Sequence, residues 1–367
     1  MRDSPSRRAH ARQKDPPVTF EQAPQTAKSV IVWLVVMIIM IFAMVVIGGV
    51  TRLTQSGLSM VDWRPLMGVV PPLSAAEWQA AFAAYKAYPE YQVLNYGMTL
   101  GDFKAIFAME YAHRMWGRLI GVVFIVPYLW FMVRGSVRGG LALRLGGLLV
   151  LGAAQGVMGW VMVKSGLVDD PSVSPYRLAV HLALAVALAA ILLWMVLNRT
   201  SAPAPITGAA AKRVAGALHT ALLLAAATLV SGAFVAGLDA GMSFNTFPLM
   251  DGRLVPEGLL ALEPVWRNPF ENVVMVQFDH RVLGILTMAA VLWLWLRGRR
   301  AALGRRARLA VNLAAVAALV QPGLGIATLL LVVPVGLAAA HQAGALVLLG
   351  LLVWILHELK RPRGRLD

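Results

Sequence analysis

Eight runs of mainly apolar residues set the limits on what this chain can become. They lie near 29–49, 110–133, 141–163, 176–197, 214–237, 276–296, 308–330 and 334–356. A helix needs about twenty such residues to cross the hydrocarbon of a bilayer. In lipid every backbone N–H and C=O must be satisfied within the segment, so runs of this length are helices rather than lone strands. The composition agrees: 59% of residues are hydrophobic, where a soluble domain has about 45–50%. The expected fold class is an all-α integral membrane protein with eight transmembrane helices.

The charges orient these helices. The chain carries a net charge of +15, but the basic residues are not spread evenly. Of the 33 Lys and Arg, 22 fall within 1–28, 134–144, 198–213, 297–308 and 358–367, together with only five of the 18 acidic residues. Excess Lys and Arg in alternate loops marks the cytoplasmic side. Both termini are therefore expected in the cytoplasm, with the long loops 50–109 and 238–275 outside. The basic excess is thus explained without nucleic acid. The absence of cysteine excludes disulfides, thiolate catalysis and cysteine-ligated metals. The tail 1–28 has no apolar core of a secretory signal and reads as a cytoplasmic tail.

The chain is also written twice. "GGVTRLTQSGLSMVDWRPLM" (48–67) aligns with "GAFVAGLDAGMSFNTFPLM" (232–250), so that Ser59 meets Ser243 and Pro65-Leu66-Met67 meets Pro248-Leu249-Met250. "EYAHRMWG" (110–117) aligns with "QFDHRVLG" (277–284), and "QGVMGW" (155–160) with "QPGLGI" (321–326). His181 follows Pro175 as His341 follows Pro334. Each half holds four spans and begins and ends inside, which makes the repeats parallel and related by an axis along the membrane normal. Two four-helix bundles are expected, 29–205 and 206–367, joined through "NRTSAPAPITGAAAKR" (198–213). In the first outer loop, "SAAEWQAAFAAYKAY" (74–88) opens with a Ser-x-x-Glu capping box and spaces its aromatics as a helix does. "TLGD" (99–102) caps a second helix that runs into span two.

Four of the seven histidines fall at matching places in the repeats, near the outer ends of even-numbered spans. His113 opens span two, His181 lies early in span four, His280 opens span six and His341 lies early in span eight. A polar residue within a span is costly, and by default marks function. Histidines that only bond between helices would explain one such residue more readily than two symmetric pairs. Two His per half without Cys make a poor closed zinc site, and copper more often brings Met or Cys. Paired imidazoles in the core of a bundle suit axial ligation of haem. Arg114 and Arg281 follow two of these histidines directly; Arg118 lies one turn further in, and Arg177 one turn before His181. They either pair haem propionates or snorkel to the interface. His10, His219 and His357 lie in the tail or near cytoplasmic ends and are assigned no site.

The halves differ at one position. Glu110 stands three residues before His113, on the same helical face; its counterpart before His280 is Gln277. A carboxylate there can move a proton or stabilise developing positive charge, which an amide cannot do. The plainer role is an ion pair with Arg114 or Arg118. The asymmetry suggests one reactive site and one haem that only carries electrons.

With these residues on the page, the chain resembles the haem A synthase family. The matching stretches are "GGVTRLTQSGLSMVDWRPLMGVVPP", "MEYAHRMWGRLIG", "QGVMGWVMVKSGL", "PYRLAVHLALA", "GLDAGMSFNTFPLMDG" and "VQFDHRVLG", spread from residue 48 to about 345. Lacking the cysteine pair that some members carry in the first outer loop, it is similar to the proteobacterial and mitochondrial type. The resemblance implies an oxidoreductase that converts the ring methyl of haem O to the formyl of haem A. It implies that the N-terminal bundle takes haem O at His113 and His181 with Glu110 as catalytic carboxylate, and that His280 and His341 are axial ligands of a haem b. It also implies a bacterial inner (cytoplasmic) membrane, with the haem sites toward the periplasm. The partners would be an electron donor or acceptor, and candidates among them are haem O synthase and cytochrome oxidase assembly factors. A di-haem b-type electron carrier of the quinone oxidoreductase kind would place haems on both sides of the membrane, whereas these four histidines share one side. A transporter would interrupt its spans with Gly or Pro at matching mid-depths.

Overall fold

The computed structural model describes residues 28–61, 68–166, 173–200 and 209–360. The tail expected at 1–28 therefore lies almost wholly outside the described residues, as do Pro65-Leu66-Met67 and half of the linker, 201–208. Ten α-helices account for about three quarters of the described chain: α1 (Lys28–Leu53), α2 (Ala75–Lys86), α3 (Leu100–Val133), α4 (Gly139–Gly166), α5 (Pro175–Thr200), α6 (Ala209–Gly237), α7 (Asn268–Glu271), α8 (Val273–Arg299), α9 (Arg305–Leu330) and α10 (Val335–Lys360). All except α2 and α7 are long and apolar enough to cross a membrane, eight in number.

Span two continues a helix that begins at Leu100, as the cap expected at "TLGD" requires, so His113 lies well inside α3 and does not open it. Thr99 caps this helix, its side chain accepting from Asp102 N at 3.2 Å while Asp102 accepts from Thr99 N at 3.0 Å. The extra turns "LGDFKAIFA" are too polar for lipid; their aromatic face instead meets α2. Ser74 caps α2 with the expected reciprocal box to Glu77, and α2 packs Phe82 and Tyr85 on Phe103 and Phe107 of α3, all four buried. The outer-loop helix thus covers the protruding end of α3. Likewise α8 begins at Val273, two turns before His280.

Two apolar cores form. One draws its buried residues from α1, α3, α4 and α5, among them Leu34, Met37, Phe124, Leu145 and Leu192. The other draws on α6, α8, α9 and α10, with Leu218, Val291, Leu294, Ala310 and Leu352. The two groups meet where α5 packs on α6 and α10, and where α1 packs on α10. At the C-terminal ends of α1 and α6, Arg52 Nη2 donates to the carbonyl of Ala236 (2.8 Å) and pairs with Asp239 (2.9 Å). Gln55 and Asp239, matched in the repeat, both adopt left-handed backbone, with φ of 50° and 49°, a conformation Asp tolerates better than most residues.

Candidate histidine sites

Each of the four histidines leans on a glycine of a neighbouring span. A Cβ on Gly48 (α1) would lie 3.2 Å from His113 Nε2, and one on Gly159 (α4) 3.4 Å from His181 Cε1. The corresponding distances are 3.1 Å from Gly232 (α6) to His280 Cε1 and 2.8 Å from Gly325 (α9) to His341 Cε1. Gly48 and Gly232 are matched in the repeat, as are Gly159 and Gly325. The imidazoles thus occupy room that any side chain would take. Gly325→Ala is expected to force the His341 ring from its place and to cost about 1–3 kcal/mol, the usual cost of overpacking. Gly159→Ala meets only ordinary van der Waals contact. Thermal melts of the two variants check the contrast.

In the second half both rings are oriented. His280 and His341 face each other with centroids 6.2 Å apart and planes at 82°. Ser231 Oγ lies 2.7 Å from His280 Nδ1, and Gln321 Nε2 donates toward His341 Nδ1 at 3.2 Å and to the His341 carbonyl at 2.6 Å. Ser231 Oγ gives its proton to the Thr228 carbonyl and so accepts from His280 Nδ1–H, which leaves Nε2 of that ring for a ligand; His341 offers its Nε2 in the same way only where Gln321 turns its amide oxygen to Nδ1. Imidazole nitrogens bind metals at about 2.0–2.1 Å, so two rings sharing one metal have centroids roughly 6 Å apart. The pair therefore fits axial ligation of one haem iron. Among the described residues there is no group of three or more His, Cys, Asp or Glu that could hold a bare ion.

In the first half Gln155, matched to Gln321, donates to the His181 carbonyl at 3.0 Å. Nδ1 of His181 and Oε1 of Gln155 are buried, and neither has a hydrogen-bond partner.

Glu110 and Gln277 hold the outer loops in opposite senses. Glu110 is 2% exposed. Its Oε2 accepts from Met60 N (2.7 Å) and lies 2.6 Å from Ser59 Oγ; its Oε1 pairs with Arg114 at 2.6 Å. Arg114 also donates to the Met60 carbonyl at 2.9 Å. In the other half Gln277 Nε2 donates to the carbonyls of Ala240 (2.9 Å) and Ser243 (2.6 Å), and Arg281 donates to those of Phe244 (2.7 Å) and Thr246 (2.8 Å). The plainer expectation for Glu110 is met, since it does pair with Arg114. Ser59 Oγ also lies 3.1 Å from the Ser56 carbonyl. A hydroxyl has one proton to give, so it serves either Ser56 or an ionised Glu110; a protonated Glu110 donates to Ser59 instead. The Ser59 hydroxyl therefore turns from Ser56 to Glu110 when the carboxyl is ionised.

The arginines divide. Arg114 and Arg281 are committed to the loops. Arg118 is partly buried and has Met115 Sδ 3.7 Å from Nη1. Arg177 is partly buried and forms no ion pair with a carboxylate among the described residues.

Four classes of residue escaped the sequence reading: the four glycines, the glutamines 155 and 321, Ser231, and Glu90 of the outer loop. Glu90 is 3% exposed, and its Oε2 has no hydrogen-bond partner. Burial pushes its carboxyl up to about 7, with the charge of Glu110 adding to the effect against the Tyr85 hydroxyl. The glycines and glutamines stand in blocks that the repeat had already aligned, which was the signal available.

A family model described as cytochrome oxidase assembly protein, COX15-CtaA, matches residues 31–353. The chain is 48% identical over 348 residues to a heme A synthase from Nitrosospira multiformis, covering 94% of this chain and 97% of that protein. It is 50% identical over 343 residues to one from Rhodospirillum centenum, covering 93% and 91%. It is 46% identical over 336 residues to heme A synthase COX15 of Bos taurus, covering 90% and 81%.

Proposed function

Because the chain belongs to the COX15-CtaA family of haem A synthases, we propose how its two halves divide the conversion of haem O to haem A. The chain is an oxidoreductase that oxidises the ring methyl of haem O to a formyl group, and the di-haem carrier reading is set aside. It is a multi-pass membrane protein.

In this reading the eight spans are two parallel four-helix repeats, 29–205 and 206–367, about a pseudo-two-fold axis along the membrane normal. The two apolar cores and the four matched glycine–histidine contacts support it. His280 and His341 hold haem b, which supplies one-electron chemistry when bound. The single observation that carries this assignment is their 6.2 Å ring separation. His113 and His181 hold the substrate, haem O. Arg118 and Arg177 are the cations proposed for its propionates, while Arg114 and Arg281 bond the loops.

The protein's part in the chemistry is positioning and proton handling. His113 and His181 orient the substrate ring, and Gly48 and Gly159 leave room for their imidazoles. Conversion of the methyl to the formyl adds the oxygen of one water and releases four protons and four electrons; Glu110 takes up protons, and the external electron acceptor takes the electrons. Ser59 exchanges its proton between Glu110 and Ser56 as the carboxyl changes state, and Arg114 steadies the ionised form. The sites face the periplasm, with both termini in the cytoplasm of a bacterial inner membrane. Haem O synthase, cytochrome oxidase assembly factors and an electron donor or acceptor are the partners of this scheme.

Extraction of pigment from the purified protein tests the scheme. It is expected to give haem b together with haem O or haem A. Haem b alone would argue for a carrier, and no haem at all would defeat both assignments.

A further inference from the structure

One peptide of α1 touches both histidine sites. Gly48 supports the His113 ring, as described above. Gly49, the next residue, faces the other half, and a Cβ on it would collide with Oε1 of Gln342. Gln342 follows His341 directly in α10, and its Nε2 donates to the carbonyl of Val45, one turn before Gly49, at 3.1 Å. The path His113, Gly48, Gly49, Gln342, His341 therefore crosses between the halves without a break.

The matching crossing on the other side is built differently. Gly232 supports His280 as Gly48 supports His113. The residue after Gly232, however, is Ala233, and the residue after His181 is Leu182. These two lie together in an apolar cluster with Ala179, Phe234 and Val276. Alanine with leucine is enough to hold two apolar helices together. An amide buried in such a place costs free energy unless it is bonded, and here it is bonded to the helix that carries Gly48. The chain departs from its own repeat where a polar link joins the two sites.

We propose that Gln342, keyed into the notch at Gly49, is a positioning residue that couples the His280–His341 site to the His113–His181 site. The inference rests on the assignment of haem b and haem O to those sites. A displacement of His341 carries Gln342 with it, and through Val45 and Gly49 moves the surface on which His113 leans. Coupling of this kind is reciprocal: substrate at the first site changes the free energy of reducing the second, and the reverse.

The test uses the full-length protein purified with haem b. The double variant Gly49→Ala/Gln342→Leu copies the Ala233–Leu182 crossing and so preserves packing. Gln342→Met keeps Gly49 and the length of the side chain but removes the amide. Haem b content, Tm, the haem b midpoint potential with and without haem O, and kcat and KM for haem O are measured. In the wild type, haem O is expected to shift the midpoint potential. In both variants the shift disappears and kcat falls by the order of 10-fold, within the usual range of coupling between sites, with haem b content, Tm and KM held. Variants that keep the shift and the wild-type kcat overturn the inference, as does a wild type that holds haem b yet shows no shift. A wild type without haem b overturns the site assignment instead.

Discussion

Glu110→Gln is expected to lower haem A formation by about 10²- to 10⁴-fold, the usual contribution of a positioned acid or base, in a protein that folds and keeps haem b. The second half supplies the reason to expect folding, because Gln277 occupies the matching place on α8 and is 3% exposed. The bonding differs in polarity. Gln277 gives its protons to the carbonyls of Ala240 and Ser243, whereas Glu110 receives one from Met60 N. A glutamine at 110 can still accept from Met60 N and Ser59 Oγ with its carbonyl oxygen in the Oε2 place, which turns its amide toward Arg114. What it cannot do is exchange a proton with Ser59. Haem extraction and chromatography of the variant measure the effect, and haem A at the wild-type level would remove Glu110 from the chemistry.

Arg114→Leu is expected to cost about 3–5 kcal/mol, because it leaves the Glu110 carboxylate buried without its counter-charge. The same change in the other half leaves a neutral amide. Arg281→Leu is therefore expected to cost only the lost bonds to loop carbonyls, about 1–3 kcal/mol. Combining Arg114→Leu with Glu110→Gln should recover part of the loss, since the stranded charge is gone. Thermal melts of the four variants form the comparison. Equal losses for Arg114→Leu and Arg281→Leu would mean that the ion pair adds nothing beyond its hydrogen bonds. Both arginines hold loops, a role the sequence did not suggest; their position after a histidine pointed to propionates as readily.

Much of this was legible beforehand because bilayers impose simple rules. Eight apolar runs became eight helices, and both capping boxes, at Ser74 and Thr99, formed as the spacing predicts. The internal repeat made four histidines stand out from seven. The start of α3 was legible in the cap at Thr99, but the packing of its polar first turns on the aromatic face of α2 was not. The glycines beneath the imidazoles were aligned but unread: a missing side chain acquires meaning only when a neighbour is known. The partners of Arg52 and Gln342 lie in the other half of the chain, 187 and 297 residues away, beyond the reach of any local pattern. Arg177 and Arg118 were read as candidate anion partners and keep that reading only as a proposal.

The most direct test of two unequal haem sites is haem analysis of three purified proteins, the wild type, His113→Ala and His280→Ala. The account predicts that His113→Ala keeps haem b and loses haem A, whereas His280→Ala loses haem b. A His113→Ala protein that still makes haem A, or a His280→Ala protein that keeps its haem b, would contradict it.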